Sequence, residues 1–319
     1  MLHLRASKIA VLLPLFLSPV LAKDANLVGC DEVSCPKEGP YDRCTVEDNT
    51  FLGVGLSNIA NLPSELEGFS LVKGVNVSQG LAGKDNDKPT RPFKSVYYLA
   101  TPENTRTSEF PGCAVIFNNP PDKKFKGPEL RGDTNATDTR AATGTCTDVL
   151  EQTCIDTITE RARKVVQDSN SNVCENLEEE LKKDSFNGCD GFGGQGTSLG
   201  DFTIKSFGVL DLMKNSSDCW PVQEKSDQLM QISEVNSHAN YSASALIQEA
   251  YKITPILTVF IGGNDTLVDR ASSQMTCLKV VTTEDPSDDD DSSDNSAVAL
   301  NKGWLAVTIP AFVGSFLAL

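Results

Sequence analysis

The chain has 319 residues, 39% of them hydrophobic and 23% charged, with 44 acidic side chains against 28 basic ones and a formal net charge of −16 at pH 7. That balance argues against nucleic acid and anionic membrane surfaces as partners. With only two histidines in the chain, a Ser or Cys nucleophile with a His base, or a His-rich metal site, has almost no material to work with.

At the N-terminus Arg5 and Lys8 precede an apolar run from Ile9 to Leu17, and Val20-Leu21-Ala22 offers small or apolar residues at the −3 and −1 positions of a cleavage site. This is the pattern of a secretory signal peptide, residues 1–22, cut after Ala22. Such a signal places the rest of the chain in an oxidising lumen, where cysteines pair.

The ten cysteines stand at positions 30, 35, 44, 113, 146, 154, 174, 189, 219 and 277, and their even count predicts five disulfides. Zinc is the rival reading. It fails on spacing, because there is no C-x2-C pair and no His near any Cys. Five N-x-[ST] sequons, at Asn76, Asn135, Asn215, Asn240 and Asn264, suit the same compartment.

Cys30, Cys35 and Cys44 lie in a Pro- and Gly-rich polar setting that reads as a knotted lead-in with little regular structure. Apolar or β-branched runs come next at Phe51–Ile59, Phe69–Val77, Phe93–Ala100 and Ala114–Phe117, divided by Gly, Pro, Asn and Asp, and they predict an antiparallel sheet layer. Asn118 to Gly144 reads as an exposed polar loop.

At Thr147 the period changes. Leu150, Cys154, Ile158, Ala162 and Val165 share one face of a helix running to about Gln167, and Cys174, Leu177 and Leu181 mark a second, shorter helix. The Asp168–Asn172 turn makes the two an antiparallel hairpin within an insert spanning 147–189. Cys154 and Cys189 are nearly equidistant from that turn and form one expected bridge, with Cys146–Cys174 as the next. Strand-like runs return at Phe202–Leu210, Leu229–Val235, Ile256–Ile261 and Cys277–Thr283, with a helix at Ser242–Tyr251. Cys219 and Cys277 are the natural couple in this half, leaving Cys30, Cys35, Cys44 and Cys113 to pair among themselves. The expected fold is α+β: an antiparallel, two-layered sheet with an inserted helical hairpin, rich in disulfides.

After this glycosylated domain, residues 23–283, an acidic Ser/Asp linker at 284–295 has nothing to bury. Trp304 to Leu319 then forms an uncharged stretch of 16 residues. As a helix it would reach roughly 24 Å, short of the ~30 Å hydrocarbon core, and Pro310 interrupts it. With Asn295-Ser296-Ala297 and a short spacer before it, it matches a glycosylphosphatidylinositol (GPI) addition signal, residues 296–319, removed on anchoring. The expected attachment residue is Asn295, with Ser293 and Ser292 as alternatives. Without Arg5, Lys8 and Lys302 the remaining chain keeps 25 basic residues against 44 acidic ones, a formal charge of −19.

Several motifs yield to context. Gly191 to Gly196 matches G-x-G-x-x-G but comes after a helix and a cysteine, which makes it a turn rather than a dinucleotide loop. Arg131-Gly132-Asp133 lies in the polar loop as a chance tripeptide. Asp288–Asp291 lacks the ligand spacing of a calcium loop. His238 neighbours a sequon and reads as solvated surface, and Trp220, beside Cys219, as a packed core aromatic. No catalytic, cofactor-binding or metal residue is assigned.

Together with both signals and the cysteine-rich lead-in, Ser217-Asp-Cys-Trp-Pro-Val222, Ile253-Thr-Pro-Ile-Leu-Thr-Val-Phe260 and Thr276-Cys-Leu-Lys-Val-Val281 resemble GPI-anchored cell-surface proteins of filamentous ascomycete fungi. The resemblance implies a fungal plasma membrane or cell wall and no particular activity. The expectation is a cell-surface glycoprotein with a structural, adhesive or binding role, tethered to the membrane by its GPI lipid and in reach of cell-wall glycans. The alternative is a surface hydrolase or transglycosylase working on wall polysaccharide through paired carboxylates, which sequence alone cannot select among 44 acids.

Overall fold

The computed structural model describes residues 27–36, 44–78, 83–85, 88–120, 143–169, 171–183, 185–190, 198–215 and 219–282. Both signals, the acidic linker and the Gly191–Gly196 and Arg131–Asp133 motifs lie outside these residues.

Two antiparallel sheets form the body, so the fold is α+β as expected. The first has five strands: β3 (Gly53–Asn58), β4 (Ser70–Val77), β5 (Gly83–Asp85), β6 (Lys88–Thr101) and β9 (Gln228–Asn240). β6 lies between β4 and β5 on one edge and β9 on the other. The second sheet has the order β11-β10-β7-β8, from β7 (Gly112–Phe117), β8 (Phe202–Ser206), β10 (Thr254–Phe260) and β11 (Ser272–Leu278). The strand predicted at 277–283 therefore begins and ends earlier. The run predicted from Phe51 divides at Leu52, because Phe51 belongs to a small hairpin of β1 (Cys44–Val46) and β2 (Asn49–Phe51), a regular element in the lead-in.

The alternation of side chains along each strand assigns the layers. Leu71, Tyr97, Leu99 and Met230 of the first sheet pack on Ala114, Ile116, Ile256 and Phe260 of the second, forming the central core. Phe69 meets Phe110 and Phe260 edge to face at 5.0 and 5.7 Å, a geometry that aromatic quadrupoles favour. Val115, Phe117, Leu257 and Val259 point the other way, into a cluster with the helical hairpin. Val72, Val96, Tyr98 and Leu229 face outward beneath the lead-in and Trp220. The order through the molecule is thus hairpin, four-stranded sheet, five-stranded sheet, disulfide-bound lead-in. Being covered on both faces, β10 is buried at all seven positions, which is why its sequence reads as a continuous run rather than an alternation.

The hairpin consists of α1 (Gln152–Asp168) and α2 (Val173–Leu181). α1 buries Cys154, Ile158, Ala162 and Val166; Val166, four residues after Ala162, takes the buried place expected of Val165. Arg161 clamps the pair. Its Nε donates to Glu180 Oε1 at 3.0 Å, its Nη1 donates to the Ser185 carbonyl at 3.0 Å, and its guanidinium lies 4.2 Å from the Phe186 ring centre. A third helix, α3 (Ala243–Ala250), covers Val75 and Phe93 at the end of the sandwich.

All five disulfides are present, and no described cysteine is free. Cys154 is joined to Cys189, the bond expected across the hairpin. The other expected pairs are corrected. Cys146 bonds Cys277 rather than Cys174, because α1 starts at Gln152 and leaves Cys146 in a short 3-10 turn outside the hairpin. Cys174 bonds Cys113 on the strand beneath α2. Cys219 cannot reach Cys277, since Cys277 lies under the hairpin and Cys219 beyond the opposite sheet, and it bonds Cys35 instead. Of the four cysteines expected to pair among themselves only Cys30 and Cys44 do so.

Candidate functional site

The sequons fall on the outside of this body where they are described. Asn215 comes just after the segment paired to the start of β9, Asn240 ends β9, and Asn264 lies in the turn between β10 and β11; all three are exposed. Asn76 is half-buried on β4, and its Nδ2 donates to the Thr50 carbonyl at 2.7 Å. Asn135 and the attachment candidates Asn295, Ser293 and Ser292 lie outside the described residues. His238 is exposed on β9. Trp220 is buried, with its indole Nε1 donating to the Asp227 carbonyl at 2.9 Å, so it is a core aromatic and not a platform for sugar.

The most unusual chemistry lies between the sheets. Lys73 sits on the inner face of β4 and is almost fully buried. Its Nζ donates to the Lys252 carbonyl at 2.6 Å and to Thr254 Oγ1 at 3.0 Å, reaching the connection from α3 to β10. The Tyr97 hydroxyl lies 3.2 Å from the same Thr254 Oγ1. Burial, aided by the charge of Lys252, lowers the amine's pKa to about 7, with Glu249 opposing. Burial likewise raises the Tyr97 phenol to about 12. A buried amine held by two acceptors is a structural clasp between layers. The period-2 pattern could have flagged it, since a lysine inside Ser70-Leu-Val-Lys-Gly-Val-Asn-Val77 sits at an inward position.

Asp227 is the described carboxylate whose pKa is clearly raised, by burial first and then by the neighbouring charge of Glu224, against the hydrogen bond from the Glu224 backbone. Tyr98, buried on the outer face, has its phenol raised by burial and by Glu47 and Glu234. Beyond it Lys94 Nζ donates to Asn49 Oδ1 at 2.6 Å and pairs with Glu234 at 3.5 Å. Cys35, Cys44 and Cys219 bring their sulfurs within 4.8 Å of one another, the one grouping of metal-type ligands among the described residues. They are already spent in two adjacent disulfides.

No helix among the described residues is long and apolar enough to cross a membrane. Comparison with protein-family models, with curated proteins and with solved structures finds no match to this chain.

Proposed function

We propose that this chain is an exported glycoprotein domain held at the outer face of the plasma membrane or in the cell wall by a GPI lipid, where it serves a structural, adhesive or binding role. The observation that carries the reading is the closure of all ten cysteines into five bonds, three of which join residues 61 to 184 positions apart in the chain. Such cross-links persist in oxidising compartments and are rare where thiols are kept reduced. Exposed sequons and an apolar tail preceded by small residues support the same address.

A binding role is favoured over wall hydrolysis by how the aromatics and acids are used. Trp220 is consumed in the core, and Asp227, beside it, is tied into the loop that packs the lead-in. Lys225 in that loop donates to the Trp220 carbonyl at 3.0 Å and also to the Val33 carbonyl.

Phosphatidylinositol-specific phospholipase should release the native protein from membranes, with a C-terminal peptide ending near Asn295 that carries the remnant of the lipid headgroup. The released domain, applied to a glycan array, reads out wall-sugar binding. Molecules that stay on the membrane and still end in Leu319 would overturn the anchoring.

A further inference from the structure

We infer that the outer edge of β9 is a dimerisation surface, on which a second copy of this chain adds its own β9 antiparallel to the first.

Among the described residues, β9 is the long free edge of the five-stranded sheet. At its start the segment before Asn215 covers it, with a bridge from Leu212 to Met230 and Met213 N–H donating to the Leu229 carbonyl at 2.9 Å. From Gln231 to Ala239 its ladder runs only to β6, and no described residue takes the N–H and C=O groups that point away from β6. Beyond Ile232 no side chain of the strand is buried. Past the bulge, Ser233 to Ala239 make roughly 23 Å of backbone edge with no partner among the described residues. The other edges are short or covered: β8 has five residues, β3 is bridged by Val28 and Val281, and β11 is buried except at Gln274 and Met275.

Proteins that must keep such an edge single protect it with lysine, proline or an inward charge. Between Gln231 and Asn240 there is no lysine and no proline, and the one acid, Glu234, is paired with Lys94. The bulge is Ile232 of β9, the residue left over where Tyr97 faces Ser233 and Tyr98 faces Gln231; it lies next to the covered end and leaves Ser233 to Ala239 in regular register. The edge is therefore built to accept a strand.

Self-complementarity identifies the occupant. When two copies of β9 run antiparallel about Asn236, Asn236 stands opposite itself, Glu234 opposite His238, Val235 opposite Ser237 and Ser233 opposite Ala239. The exposed residues Glu234, Asn236 and His238 then share one face of the joint, and the half-buried ones the other. A carboxylate opposite an imidazole and a self-paired amide are favourable cross-strand neighbours, and no like charges meet. A two-fold axis at Asn236 is the isologous arrangement of most homodimers.

The test uses the full chain exported through the secretory pathway. Light scattering of the wild-type protein should show a concentration-dependent monomer–dimer equilibrium, weakened about tenfold by Asn236→Lys, which sets two cations face to face. Asn236→Cys should trap a disulfide-linked dimer on a non-reducing gel. Glu234→Cys and His238→Cys, each silent alone, should cross-link when expressed together; this pair also serves if a substitution at 236 impairs folding. A protein that remains monomeric at high concentration, a cysteine at 236 that stays free or captures an unrelated polypeptide, or a cross-link within the Glu234→Cys variant alone would each overturn the proposal.

Discussion

Lys73 shows how one residue can report on the whole interior. Between pH 7 and 10.5 the unfolded chain holds a proton on this amine that the folded chain has released, so unfolding takes up a proton and stability rises with pH, by at most about 1.4 kcal/mol per unit. Below pH 7 both states are protonated and the penalty is constant. Tyr97 acts in the opposite sense above pH 10, where the unfolded phenol ionises before the folded one, so the contribution of this pair peaks near pH 10. Urea midpoints of the wild type should therefore climb from pH 7 to 10 relative to those of Lys73→Met, which keeps the volume without the amine; parallel curves would remove the buried neutral lysine. Gly55 is a second sensitive point. A Cβ there would lie 1.7 Å from the Lys279 carbonyl oxygen, where the chain after β11 lies along β3 and Val281 N–H donates to the Val54 carbonyl at 3.0 Å. Gly55→Ala should cost about 3 kcal/mol in chemical denaturation, because the opposing atom belongs to the backbone and cannot rotate away. The period-2 pattern marks Lys73 as inward, but the partners in neither effect can be read from local sequence, since Lys252, Thr254 and Lys279 are some two hundred residues from the positions they act on.

Among the elements, those whose own residues repeat with a clear period are legible in advance. α1 and α2 arise from i, i+4 spacing of Cys154, Ile158 and Ala162, and of Leu177 and Leu181. The end of the face, Val166 rather than Val165, depended on which side of the last turn met the sheet. Each of the eight predicted strands overlaps an observed one, while β1 and β2, three residues each, are too short for periodicity to register. Disulfides were legible only inside one element pair. The two ends of a hairpin meet by arithmetic, whereas Cys35 and Cys219, 184 residues apart, meet only because the lead-in folds over the outer face of the first sheet. The same separation ranks their worth in the chain-entropy account. Replacing Cys35 and Cys219 with serine should lower stability by up to about 5 kcal/mol, against about 3 for Cys30 and Cys44, whose loop is 14 residues. Thermal melts of the two double variants check this, and an inverted order would mean that the lead-in contributes little beyond its local loop.

At the scale of the whole molecule, each layer hides a face that another layer needs: the hairpin covers one sheet, the lead-in the other, and the sheets cover each other. The exposed sequons sit outside this stack, at Asn215, Asn240 and Asn264, where added sugar meets no packed side chain. The candidate site obeyed the same division. His238 at the surface and Trp220 in the core were readable from their neighbours in the chain, but the partners of the Lys73 clasp and the free edge of β9 were not, because both are relations between strands that are distant in sequence. Composition and side-chain period act locally, and they suffice for the α+β class, the oxidised state expected of ten cysteines, the helical hairpin and most strands. Which cysteines bond, which partners hold the buried lysine and which strand is left open at its edge follow from the order in which sheets and layers stack, and chain proximity carries no record of that order.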